Sequence, residues 1–185
     1  SRTTLRFTCR TPGSATFVEV RPRELHAVTL NGRTIDPASL VDGRLDLTDL
    51  EADNVLEVEA TMAYSHDGQG LHRSTDPADG EDYIYGHLFL DAAPTVFACF
   101  DQPDLKAPIT LTALAAPDWQ VISNGAPDTT PTLDSGAVHH AFDTEQTWHR
   151  QAVRGGALIA RECVAHLRHG VPAVAQFTDA LEILD

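Results

Sequence analysis

Cysteine is scarce in this chain: Cys9, Cys99 and Cys163 are the only three, and no two lie close enough to read as a zinc knuckle or a redox pair. Free thiols in that setting behave as small hydrophobes, so these three are expected to be reduced and mostly buried. Positive charge is equally short. The 27 Asp and Glu residues outnumber 13 Lys and Arg, for a net charge of -14 and a pI near 4.8. A surface of that sign repels phosphate backbones and anionic lipid headgroups, so neither a nucleic acid nor a membrane surface is an expected partner. No run of 18 apolar residues occurs, and Ser1-Arg2-Thr3-Thr4-Leu5-Arg6-Phe7 has no apolar signal core; the expected location is cytoplasmic. Also absent are a phosphate-cradling Gly-rich loop, a Gly-x-Ser-x-Gly elbow, a dinucleotide fingerprint and any DNA-reading module. There is no internal repeat and no low-complexity block.

What is present is a series of short β-type runs broken by turn residues. At 185 residues the chain is long enough for one sizeable core, with room for an appended element. Thr4 to Cys9 alternates, Ala15 to Val20 follows a Pro12-Gly13 break, and Ala27 to Leu30 leads into Asn31-Gly32, a strong hairpin signal. Further runs are Arg44 to Leu47, Val55 to Ala63, Tyr83 to Leu90, Ile109 to Leu114, Trp119 to Ser123 and Ala137 to Phe142. The even spacing predicts a mainly β fold, an antiparallel saddle or sandwich, over residues 1–146. After Thr147 the apolar residues Ala152, Val153, Leu158, Cys163, Val164 and Leu167 recur at three and four, which predicts a helix. Val174 to Leu184 reads as a second, so 147–185 is expected to be a C-terminal helical element packed on the β-domain.

The densest signal is Gly70-Leu71-His72-Arg73, then Tyr83-Ile84-Tyr85, then the run from Val96 through Phe100-Asp101-Gln102-Pro103-Asp104-Leu105-Lys106-Ala107. Together these resemble the non-catalytic N-terminal β-domain of the zinc aminopeptidase N and leukotriene hydrolase family, the gluzincins, in its actinobacterial form. The resemblance runs from about Thr4 to Asn124. On their own chemistry, Pro103 and Asp101 suit a rigid corner, and Leu71-His72-Arg73 suits a packed, salt-bridged strand end. The resemblance implies that this domain lends a Gln and a Glu, two residues apart, to a peptide cleft. In this chain those positions carry His87 and Phe89, so the carboxylate that would hold a substrate amine is gone. Ala92, Ala93 and Pro94 also replace residues that are usually charged in such relatives.

A gluzincin needs His-Glu-x-x-His on one helix for zinc, and no such motif occurs in the sequence. His166 and His169 with Cys163 have no standard ligand spacing, and His139-His140 point to opposite faces of a strand. No metal and no cofactor are therefore expected. The remaining constellation is Glu81, Asp82, Tyr83, Tyr85, His87, Phe89 and Asp91. Side-chain alternation puts Tyr83, Tyr85, His87 and Phe89 on one face. His87, Tyr85 and Tyr83 are the candidate catalytic residues, because an imidazole exchanges protons near neutral pH and a phenol can stabilise an oxyanion. Phe89, Glu81, Asp91 and Asp101 are the candidate substrate-binding residues. The opposing structural reading has the same strand bury its aromatics beneath the C-terminal element.

Three functions follow from these readings. The first is a metal-free relative of the aminopeptidase β-domain that binds, and transforms, a small organic ligand of specialised metabolism on the former peptide-facing surface. The second is a non-enzymatic module for a peptide or protein partner. The third is a fragment of a full zinc aminopeptidase. A homodimer through an exposed sheet is left open by the sequence.

Overall fold

The structure, a computed structural model, describes residues 1–88, 91–102, 105, 107–115, 121–122, 128–130, 138–147, 164–167 and 174–180. The strands of the first half are β1 (Arg2–Thr8), β2 (Thr16–Glu19), β3 (Glu24–Leu30), β4 (Arg33–Ile35), β5 (Arg44–Leu47) and β6 (Asp53–Thr61). Those of the second are β7 (Gly70–Thr75), β8 (Asp82–His87), β9 (Pro108–Ala115), β10 (Val121–Ile122), β11 (Asp128–Thr130), β12 (Val138–Thr147), β13 (Val164–Leu167) and β14 (Val174–Ala180). Short 3-10 turns occupy Pro37–Ser39 and Ala93–Thr95. Among the described residues the fold is mainly β, as the spacing of runs predicts.

Three sheets form. The largest has the order β11-β12-β9-β14-β1-β6-β3-β4, the second β10-β13-β8-β7, and the third is the pair β2-β5. Among the described strands every pairing is antiparallel except β1 with β14. Alternation explains the first core. In β6, Asn54, Leu56, Val58 and Ala60 are buried while Asp53, Glu57 and Glu59 are exposed. In β5, Leu45 and Leu47 point inward between Arg44 and Asp46. These faces meet Leu5, Phe7, Val18, Val28 and Leu30, so the β2-β5 pair caps one side of the β1-β6-β3 sheet. The Asn31-Gly32 hairpin forms with both residues at positive φ, 52° and 77°, as a two-residue turn matched to strand twist requires.

One buried polar group fastens this core. Asn54 Oδ1 accepts from the Glu51 amide at 2.9 Å and from Asn31 Nδ2 at 3.0 Å, and Asn54 Nδ2 donates to Glu51 O at 2.7 Å. The hairpin residue Asn31 in turn accepts the Val55 amide at 2.8 Å. The three bonds at Asn54 thus satisfy a side chain that would otherwise be buried without partners.

The tail differs from the helical expectation wherever it is described. Thr147, after which a helix is expected, ends β12, and Val164–Leu167 and Val174–Ala180 are strands. β14 fills the gap between β1 and β9, and β13 pairs with β8. Spacing at three and four does not separate a helix from a strand in a short apolar run. The unpaired ladder groups of β1, β8 and β9 decide the outcome in favour of strand. The rest of the expected helical element, 148–163, 168–173 and 181–185, lies outside the described residues.

Candidate functional site on the second sheet

The second sheet is built around β7 and β8, whose register sets Gly70 opposite His87, His72 opposite Tyr85 and Ser74 opposite Tyr83. Cross-strand partners share a face, so the predicted Tyr83, Tyr85 and His87 face is real and gains His72. The other face carries the buried Ile84, which packs with Ala93, Val96, Phe97, Cys99, Leu111 and Ala115 in a second core. Tyr83, Tyr85 and His87 are all half-buried. Alternate residues on a strand lie about 6.7 Å apart, so Tyr83 and His87 stand roughly 13 Å from each other and cannot serve one reacting atom.

Each of the three has its own setting. The Tyr83 hydroxyl donates to Asp79 Oδ2 at 2.7 Å, and that bond holds the phenol above its ordinary range. Tyr83 thus closes the 76–82 turn, in which the Glu81 amide donates to Asp79 Oδ1 at 2.8 Å. Glu81 belongs to that turn. Tyr85 stacks against His72 with ring centroids 4.8 Å apart, and His72 meets His66 edge-on at 6.3 Å. His87 sits across from Gly70, at the end of β8. Phe89 lies outside the described residues. Arg73 pairs with Asp82, which also accepts from Thr75, so the expected salt-bridged strand end is present.

Asp91 and Asp101 come together elsewhere, around Arg21. Arg21 Nη1 donates to Asp91 O at 3.1 Å and to Asp91 Oδ2 at 3.4 Å. Partial burial pushes the Asp101 carboxyl up, and repulsion from Glu19 and Asp91 adds to it, with Arg21 opposing. Arg21, Asp91, Tyr64, Asp67, Gln69 and Thr95 line a cavity of about 360 Å³. The loop at its mouth is held by local chemistry. The Gln69 amide donates to Asp67 Oδ1 at 3.0 Å, the Ser65 hydroxyl donates to Gln69 O, and the Gly68 amide donates to His72 Nδ1 at 2.9 Å. The bond from Gln69 is the main reason the Asp67 carboxyl stays below its usual range. Burial raises the Tyr64 phenol, with Arg73 opposing.

Gly70 fixes how β7 meets this cavity. Its φ is +62°, and a side-chain carbon there would lie 2.4 Å from Thr95 Oγ1. Only glycine allows the 93–95 turn to approach β7 this closely. Sequence reasoning missed the 66–69 loop, with His66, Asp67 and Gln69, as a neighbour of the Tyr85 face, and Tyr64 as a neighbour of the second core. The Asp67-Gly68 turn pair is a local signal for the loop, but nothing local says where that loop lands. Among the described residues no group of three or more His, Cys, Asp or Glu side chains is placed to hold a metal ion. Nor is any helix among them long and apolar enough to cross a membrane.

No protein-family model matches the chain. The fold itself is shared with M1 zinc metallopeptidases. One, from Deinococcus radiodurans and bound to a Tyr-Ser-Ala substrate, superposes with a TM-score of 0.55 at 13% identity over 79% of this chain and 38% of that one. A two-domain M1 zinc metallopeptidase bound to L-arginine gives 0.59 at 14% identity, with the same coverage. Sequence then carries the relation further. The chain is 42% identical over 126 residues, 67% of its length, to aminopeptidase N of Streptomyces lividans. It belongs to the aminopeptidase N family and corresponds to its N-terminal β-region. It spans about 15% of the length of that curated relative.

Proposed function

We propose that this chain is an aminopeptidase N-type β-module that binds a small organic molecule on the surface formed by β7, β8 and the 63–69 loop, without peptidase chemistry of its own. The observation that carries the reading is the 360 Å³ cavity, whose Asp67 and Gln69 flank the glycine that is bonded to the His72–Tyr85 ring pair. Such a space, with a few convergent polar groups beside aromatic rings, is the usual form of a small-molecule site. The sequence holds no His-Glu-x-x-His, so gluzincin hydrolysis would need residues from outside this chain. Neither Tyr85 nor His87 lines that cavity, so in this reading the ligand reaches from it past Gly68, where a side-chain carbon would lie 3.7 Å from the Tyr85 hydroxyl, towards His87, which exchanges a proton with it, while Tyr83 serves the 76–82 turn.

The test is untargeted mass spectrometry of a cell extract incubated with the protein and, in parallel, with His87→Ala. Conversion of one metabolite by the wild type but not the variant supports both binding and acid–base chemistry. Retention without conversion keeps the binding surface and removes the chemistry. No metabolite retained or changed rejects the reading.

A second reading rests on the 42% identity to aminopeptidase N and the 15% share of that protein. The chain would then be one wall of a larger peptidase. Supplying it to a separately produced zinc-bearing catalytic domain should raise aminopeptidase turnover; unchanged turnover would sink that reading.

A further inference from the structure

Two histidines beside the 66–69 loop hold opposite hydrogen-bond roles. The Gly68 amide lies 2.9 Å from His72 Nδ1, and a backbone N–H can only donate, so that nitrogen carries a lone pair and no proton. The neutral ring keeps its proton on Nε2. His66 shows the reverse, because its Nδ1 lies 2.8 Å from the Arg73 carbonyl, which can only accept, so here Nδ1 holds the proton. A second proton on His66 leaves its bond intact. On His72 it sets two N–H groups against each other and removes the bond.

The base of the loop is tied to β7 by Ser65, whose amide donates to Leu71 O at 2.9 Å and whose carbonyl accepts the Arg73 amide at 3.0 Å. Beyond that base, the Gln69 amide and carbonyl bond to Asp67 and Ser65 of the same loop, whereas Gly68 reaches across to the strand. Asp67 and Gln69, on either side of Gly68, line the 360 Å³ cavity, so the His72 ring sets the position of its mouth. The titratable groups that the described residues set facing His72 are Tyr85 from β8, with ring centroids 4.8 Å apart, and His66 and Asp67 from the loop. Tyr83 and His87 stand further along the same face, and His166 of β13 holds the register position beside Tyr83. Arg73 and Asp82 belong to the opposite face, and the 93–95 turn packed on β7 brings no ionisable side chain. Among the facing groups Asp67 is the negative one, and it attracts a charged His72. Amide and carboxylate thus act on the ring in opposite senses, the first against a proton and the second for it.

We propose that the Gly68–His72 bond is an acid-released latch: the neutral ring holds the 66–69 loop against β7, and proton uptake by His72 frees Gly68 and opens the mouth of the cavity that Asp67 and Gln69 line. The latch acts on the loop itself, whether or not the cavity is filled, and so stands apart from the ligand reading. Imidazole is the side chain that ordinarily changes charge in mildly acidic water, so a drop from about pH 7.5 to about pH 5 spans the switch. The share of loop stability that the bond supplies is present above the imidazole range and is lost as pH falls through it.

The experiment follows the protein by NMR across that range. At the upper pH, long-range proton–nitrogen spectra of the imidazoles should show His72 protonated at Nε2 and His66 at Nδ1. At the lower pH the protection of the Gly68 amide against hydrogen exchange, corrected for the intrinsic rate, should fall by about three- to tenfold, while the Arg73 amide keeps its protection. His72→Asn, whose Oδ1 accepts near the Nδ1 position but does not titrate, should hold Gly68 protected at both pH values, and His66→Asn should leave the wild-type response in place. A His72 ring protonated at Nδ1 at the upper pH overturns the latch, and that observation on the wild type does not depend on either variant folding. Equal protection of Gly68 at both pH values overturns it too. A loss that persists in His72→Asn, or that vanishes in His66→Asn, assigns the response to another group and rejects the latch as well.

Discussion

The two cores of this protein are built in different ways. The first, between β1, β3 and β6 and the β2-β5 pair, is filled by strand residues alternating with solvent-facing ones, and Val18, Leu45, Leu47 and Leu56 have no exposed surface. The second draws Ile84, Leu111 and Ala115 from strands but Ala93, Val96, Phe97 and Cys99 from an irregular segment, with Tyr64, Leu71 and Leu88 only partly covered. The first core is closed by an apolar periodicity. The second is closed by one glycine, one tight turn and a set of side-chain-to-backbone bonds. The cavity with Asp67 and Asp91 opens onto the second, which fits the general division in which a densely packed scaffold positions a less densely packed, functional region.

The sharpest way to break this distinction is truncation on either side. Leu47→Ala should cost about 3–4 kcal/mol, because a fully enclosed methylene set leaves a cavity. Leu71→Ala, at a half-buried position, should cost about 1 kcal/mol. Urea denaturation measures both, and equal losses would erase the contrast. Next in size is Asn54→Ala, expected to lose about 2–3 kcal/mol by stripping partners from Glu51 and Asn31. A loss no larger than that of an exposed asparagine would mean the network is incidental.

Gly70→Ala should lose about 1–3 kcal/mol through positive φ and the clash with Thr95. Adding Thr95→Ala should restore the steric part and leave the backbone part, so a double-mutant cycle gives a coupling of the opposite sign to the losses. An additive cycle would show that the close approach is unimportant.

The smallest effect expected is at Asp101. Its carboxyl is pushed up by burial, then by Glu19 and Asp91. A raised folded value means that folding favours the protonated acid. Its stabilising share is therefore present below the ordinary carboxylate range and is lost as pH rises through the raised value. Asp101→Asn should thus raise stability at pH 7 by about 0.5 kcal/mol, since exposure screens the repulsion, with the gain fading below about pH 4. A thermal melt series across pH checks this, and a variant less stable at pH 7 would assign Asp101 a favourable partner instead.

The sequence by itself determined the β character, nine of the strand runs, the Asn31-Gly32 hairpin, the family and the shared face of Tyr83, Tyr85 and His87. These follow from residue alternation, turn chemistry and local motif, which act over a few residues. Tertiary structure alone decided that His72 would stand against Tyr85, since cross-strand register depends on both strands. It alone brought Asp91 and Asp101 to Arg21, 70 and 80 positions away in the chain. It also turned Val164–Leu167 and Val174–Ala180 into strands against their apolar spacing, because the open ladders of β1, β8 and β9 gain more from pairing than a short helix gains from its own bonds.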